Sequence, residues 1–103
     1  MKKSKAKPDP SLPELLEPPL RKIYERFERE SYRASGIPAK FKELIAMAAA
    51  LVSGGQKTLE LHIQRSIRAG ASRQEISETI AIAAGISAAT LVERADAAEN
   101  QSE

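Results

Sequence analysis

Apolar residues recur along this chain at helical spacing, and nowhere do they alternate at the two-residue spacing of a half-buried strand. Leu20, Ile23, Tyr24 and Phe27 follow the i, i+3, i+4, i+7 pattern, so a first helix entered through Pro18-Pro19 is expected to turn that face inward. Ahead of it, Ser11-Leu12-Pro13-Glu14 reads as a capping box that opens a short turn through Leu15, Leu16 and Glu17. Ser35-Gly36-Ile37-Pro38 is a break: Gly36 suits a positive φ at the end of the first helix, and Pro38 suits the first turn of the next. The second helix, about 38–52, gathers Phe41, Leu44, Ile45, Ala48, Leu51 and Val52 on one wide face. Its other side holds Ala46, Met47, Ala50 and Glu43, so the helix is apolar nearly all round. Such a helix is buried on all sides, which predicts a central position and partial cover by another subunit.

Gly54 suits the C′ position of that helix, and Gly55 or Gln56 the start of a third helix over about 56–69. Leu59, Ile63, Ser66 and Ile67 share one face of it, with Lys57, Glu60, Gln64 and Arg68 opposite. Thr58, His62, Arg65 and Ala69 form the flank between them, which predicts His62 at the rim of the core. Gly70 stops this helix, and the capping box Ser72-Arg73-Gln74-Glu75 opens a fourth with Ile76, Ile80, Ala83 and Ala84 inward. Gly85-Ile86-Ser87 reads as a further break, with a last helical segment carrying Ala88, Leu91, Val92 and Ala95 before the chain frays from Ala97. The expected fold is all-α: four main helices and one N-terminal turn. The domain spans 11–98, behind a disordered Lys-rich tail (1–10) and ahead of a frayed end (99–103).

Composition adjusts this picture in three ways. With 103 residues the chain makes one small domain that buries roughly 60–70% of its unfolded surface. No Trp is present and only 4% of residues are aromatic, so Leu, Ile and Ala must build the core, and oligomerisation is a natural supplement. The net charge of +2 is local: Lys2, Lys3, Lys5 and Lys7 supply four of 16 basic residues, leaving 12 against 14 acidic ones in the body. A nucleic-acid partner is therefore not expected. The run Leu44–Val52 is too short to span a bilayer and Lys2-Lys3 precede no apolar signal region, so no membrane partner and a cytoplasmic location are expected.

The candidate chemistry is sparse. There is no cysteine, hence no disulfide, no thiolate nucleophile and no Cys metal site; a single His with scattered carboxylates gives no metal-ligand spacing. No metal or cofactor is expected. Glu43 opens an apolar helix, where burial would raise its pKa and suit a proton shuttle; it reads equally as a carboxylate favoured near a helix N-terminus. His62 is the one side chain that titrates near neutral pH unshifted, or else a hydrogen-bonded rim histidine. Gly54-Gly55 offers backbone N–H groups to an anion, or simply reverses the chain. Arg65, one turn beyond His62, is a carboxylate partner or a solvated charge.

Taken together, Glu43-Leu44-Ile45-Ala46, His62, and Ala69-Gly70-Ala71-Ser72-Arg73-Gln74-Glu75-Ile76 resemble the carboxymuconolactone decarboxylase family, which includes the alkylhydroperoxidase D-like proteins. The resemblance runs from about Leu20 to Ala98. It implies an alkylhydroperoxidase D-like helical subunit that forms a homotrimer or homohexamer, with sites near subunit contacts. The peroxidase branch carries Cys-x-x-Cys-x-x-x-His and a glutamate on the preceding helix. His62 and Glu43 match its His and Glu, while Gly55 and Thr58 stand at the two cysteine positions. Thiol peroxidase activity is therefore not expected. The decarboxylase branch lacks the cysteines and keeps the His; its Tyr-Ala-Gly-x-Pro-Ala-Ala run appears here as Ala83-Ala84-Gly85-Ile86-Ser87-Ala88-Ala89, with Tyr and Pro replaced. The resemblance implies a cofactor-free, decarboxylase-like enzyme on a small carboxylated substrate. Glu43 and His62 would handle the proton, and Arg65, Gly55 and Thr58 would line the substrate. The alternative is a binding or structural oligomer without the family chemistry.

Overall fold

A computed structural model describes residues 15–102. Four helices follow in order: α1 (Pro18–Tyr32), α2 (Ala39–Ser53), α3 (Gln56–Arg68) and α4 (Arg73–Gln101), with no strand among the described residues. The Lys-rich tail and the Ser11–Glu14 box lie outside the described residues; Leu15 and Leu16 form a non-helical turn and bend.

Helix α2 is the hub, packing against α3, α4 and the end of α1. Two glycine turns set the α2–α3–α4 path. Gly54 closes α2 at φ 85 and Gly70 follows α3 at φ 98, a conformation that a Cβ would strain. The Ser72 box opens α4 as its sequence requires: the Ser72 hydroxyl accepts from the Glu75 N–H at 3.0 Å, and the Glu75 carboxylate accepts from the Ser72 N–H at 2.8 Å. Lys40 at the start of α2 reaches Glu75 at 3.1 Å and ties these two helix starts together. Together, first the Ser72 N–H and then Lys40 hold the Glu75 carboxyl below its ordinary value.

Four expectations are corrected. First, α2 buries only part of the expected face, Leu44, together with Met47 and Ala50 of the other. Phe41, Ile45 and Val52 stay open, Ile45 at 56%. Small residues and Met47 let α3 approach closely on the narrow side, and the bulky side is left for a groove towards α4. Second, α1 turns no residue fully inward. Leu20, Ile23 and Phe27 are exposed, Phe27 at 68%, because α1 packs only lightly on α2. Third, α1 ends at Arg33 in an extended conformation, and Gly36 does not adopt positive φ.

Fourth, α4 runs through Gly85-Ile86-Ser87 without a break and stays helical to Gln101, beyond the expected fraying point. One glycine in a helix costs about 1 kcal/mol, too little to stop a 29-residue helix that carries no proline. The Thr90 hydroxyl bonds back to the Ile86 carbonyl at 3.0 Å across the supposed break. Its uncharged run, Thr79–Val92, is longer than Leu44–Val52. By length and composition α4 could cross a membrane, and Ala83 is its one buried residue.

The outcome is an open subunit. Its radius of gyration is 17.6 Å and its extents are 63 × 35 × 31 Å; a compact chain of this length would have a radius near ~13 Å. The continuity of α4 has a direct check. A Cβ at Gly85 would meet nothing within 4 Å, so Gly85→Ala should raise stability by about 0.5–1 kcal/mol in chemical denaturation. A chain that turned at Gly85 would instead lose stability.

Candidate active site

The small fully buried set of this subunit contains two polar residues, His62 and Ser66, both on α3. His62 is therefore not at the rim: it is 1% exposed, pressed against the narrow face of α2. Glu43 lies on that face one turn before the buried Met47, and its Oε1 is 2.8 Å from His62 Nδ1. The Ser66 hydroxyl donates to the His62 carbonyl at 2.7 Å, which satisfies its own buried polar atom within α3.

The other imidazole nitrogen meets a residue the sequence reading did not select. Tyr32, the last residue of α1, places its Oη 3.3 Å from His62 Nε2. The two rings are also stacked, with centroids 5.2 Å apart and planes 25° apart. With the Glu43 carboxylate accepting from Nδ1–H, the neutral imidazole has Nε2 as an acceptor, and the Tyr32 hydroxyl donates to it. The result is one continuous chain, carboxylate to imidazole to phenol, drawn from three helices. Tyr32 lies outside the 20, 23, 24, 27 stripe of α1, so periodicity gave no signal for it.

Lys42 explains why Tyr32 stays there. Its Nζ donates to the Ser31 carbonyl at 2.9 Å and to the Arg33 carbonyl, the two neighbours of Tyr32. An ammonium at the carbonyl end of a helix is favourable both as a hydrogen-bond donor and against the dipole. Lys42 and Glu43 are adjacent, so one turn of α2 fixes both ends of the Tyr32–His62–Glu43 chain.

Arg65 joins the group from α3. Its guanidinium carbon is 5.9 Å from the Tyr32 ring centroid, in cation–π range. Burial first, then the Glu43 carboxylate, push the Tyr32 phenol above its ordinary value; Glu28 and Tyr24 add to this and Arg65 opposes it.

Gly55 and Thr58 lie together at the start of α3 but outside this hydrogen-bonded chain. The Gly54 and Gly55 N–H groups are not open to an anion, since both bond to the Ala50 carbonyl, at 3.0 and 3.2 Å. A Cβ built on Gly55 would sit 3.5 Å from the Thr58 Cβ. A groove of about 660 Å³ lies elsewhere, between α2 and α4, and its lining, which includes Phe41, Ile45, Val52, Ile82 and Ile86, is mostly apolar. Among the described residues, no three His or acidic side chains converge on a metal-sized site.

Such features define a class: an all-helical, thiol-free subunit with a carboxylate–imidazole pair sealed at its centre. Residues 18–99 match the sequence pattern of the carboxymuconolactone decarboxylase family, and the chain belongs to that family. No curated protein matches it. The absence of cysteine removes the nucleophile that a thiol peroxidase requires.

Two outcomes test this geometry. Tyr32 keeps its proton more tightly in the folded chain than in the unfolded one. Its contribution to stability is then fully present below the ordinary phenol value near 10 and is lost as pH rises through the raised folded value. Tyr32→Phe should remove one phenolate absorbance transition above pH ~10 and flatten the alkaline fall in denaturation midpoint. In a Gly55→Cys, Thr58→Cys double variant, the 3.5 Å spacing should let a disulfide form under mild oxidant, read by intact mass before and after reduction.

Proposed function

We propose that this protein is a cofactor-free, decarboxylase-like lyase acting on a small carboxylated substrate, with Glu43 and His62 as its proton-handling pair. The observation that carries this reading is the 2.8 Å contact between His62 Nδ1 and Glu43 Oε1 inside the most buried part of the chain. An imidazole oriented by a carboxylate keeps one tautomer and can accept a proton at its far nitrogen, with the resulting cation stabilised by the carboxylate. Loss of CO2 from a substrate with a conjugated acceptor needs only a held carboxylate, a stabilised dienolate and a proton for carbon. Arg65, beside Tyr32, supplies the positive charge for the carboxylate. The first turn of α3, with Gly55 and Thr58, borders the substrate on the other side.

The open surface of the single chain supports assembly as a homotrimer or homohexamer. The exposed stripe of α1 and the apolar groove between α2 and α4 are each costly to leave in water. The uncharged part of α4 from Thr79 to Val92 rises only about 21 Å, against roughly 30 Å for a bilayer core, which favours protein over lipid as its cover.

A second reading has its own observation. His62 is 1% exposed, and the groove between α2 and α4 is mostly apolar and does not include it. A structural oligomer that retains the pair only for packing fits those facts.

Incubation of pure protein with a panel of carboxylated lactones and β-keto acids, followed by CO2 release, separates the two. The lyase reading expects release by the wild type and a loss of roughly 10²–10⁴ in rate for Glu43→Gln and His62→Gln, at unchanged assembly size. Equal behaviour of wild type and Glu43→Gln would favour the structural reading. Either way, peroxide with a dithiol reductant should not be consumed.

A further inference from the structure

We propose that Tyr32, and not His62, is the group that meets the substrate: its phenol oxygen is the outer end of the relay Glu43–His62–Tyr32. This rests on the proton-handling reading above and names the catalytic atom within it. The argument begins with access. His62 is 1% exposed, its Nδ1 is taken by Glu43, and one ring face is covered by the stacked Tyr32 ring. Its remaining nitrogen, Nε2, points to the Tyr32 hydroxyl at 3.3 Å. No position is left at which a substrate atom touches the imidazole while Tyr32 stays in place. Tyr32 itself is only part-buried.

Position and charge agree with this role. The Lys42 ammonium holds the carbonyls on either side of Tyr32, so the phenol is fixed from α2 rather than left to a free helix end. Arg65 stands over the Tyr32 ring and brings a positive charge to the side where a carboxylated substrate would lie. A phenol whose proton is held by burial and by the Glu43 carboxylate remains a neutral acid at neutral pH, suited to giving a proton to a carbanion rather than to resting as phenolate.

The step balances without a further reactant. The bond from the substrate carboxylate to its carbon breaks, CO2 leaves, and the electron pair passes into the dienolate. The Tyr32 O–H proton goes to carbon. A proton from water restores the Tyr32 O–H after product release, and the phenol again donates to His62 Nε2. His62 and Glu43 are then positioning residues that orient the phenol.

One His and two Tyr in the chain make a clean labelling test. Wild-type protein is treated with diethyl pyrocarbonate, which acylates imidazole, and separately with an aryl sulfonyl fluoride, which reacts with activated phenols. Sites are read by peptide mass spectrometry, with Tyr24 as the internal reference. The proposal expects sulfonylation of Tyr32 that falls at least tenfold in His62→Gln. It expects His62 to resist acylation in the wild type and to become reactive in Tyr32→Ala. Acylation of His62 in folded wild type at the rate of the denatured chain, or sulfonylation of Tyr32 that is absent or indifferent to His62→Gln, overturns it. On any substrate turned over by the wild type, Tyr32→Phe should lower kcat by roughly 10²–10⁴ with KM little changed. If Glu43→Gln abolishes turnover while Tyr32→Phe does not, the Tyr32 assignment fails and the proton-handling reading stands. If neither change affects turnover, that reading fails as well.

Discussion

The hydrogen bond between His62 and Glu43 is the constraint on which the packing of this subunit rests. A carboxylate and an imidazole cannot both enter a dry interior unless each satisfies the other; removing one partner from a buried pair costs roughly 3–5 kcal/mol. The pair sits between α2 and α3, on a side of α2 that also buries Met47 and Ala50, which are small or flexible enough to allow it. Helix α3 could slide or rotate on an apolar face with little penalty. It cannot do so against a face carrying Glu43, because a displaced His62 would leave two buried polar groups unmet. The polar contact thus selects one arrangement among several that hydrophobic burial alone would accept.

That choice has a cost in self-sufficiency. The narrow face of α2 is spent on α3, and its bulkier side chains, Phe41, Ile45 and Val52, are left facing a groove. Lys42, and Tyr32 on His62, hold the C-terminal end of helix α1, while its Leu20, Ile23 and Phe27 stripe stays exposed among the described residues. Helix α4 contributes Ala83 to the interior and little else. A chain of this length could have closed over these surfaces. Its core is instead organised around a polar centre, and many of its large apolar side chains stay exposed.

Much of this was legible from residue order. The four helices, the glycine turns at 54 and 70, the Ser72 box and the central place of α2 each follow from a local signal that tertiary contacts do not oppose. The Glu43–His62 pairing was visible through spacing on two consecutive helices together with a family pattern. What the sequence hid has physical causes. Periodicity identifies an apolar stripe but not whether the chain itself covers it, so the α1 stripe stands exposed and α2 buries Leu44 of its expected face with Met47 and Ala50 of the other. Gly85 looked like a stop because local propensity weighs one glycine heavily, while a long helix absorbs it. Tyr32 was missed because it reaches His62 across thirty positions of sequence and belongs to no stripe.

The Gly54–Gly55 connection carries a consequence of its own. Exposed loops ordinarily accept changes of length. This one joins two helices whose relative phase is set by a buried contact, and each added residue would rotate α3 by about 100° about its axis. A single insertion would swing His62 off the α2 face and bring Arg65 or Leu61 towards Glu43 in its stead. The loop is on the surface, yet its length is as tightly fixed as a core side chain. Variation among related chains should therefore fall on the identity of residue 55, and on the longer α1–α2 connection, before it touches the number of residues in this turn.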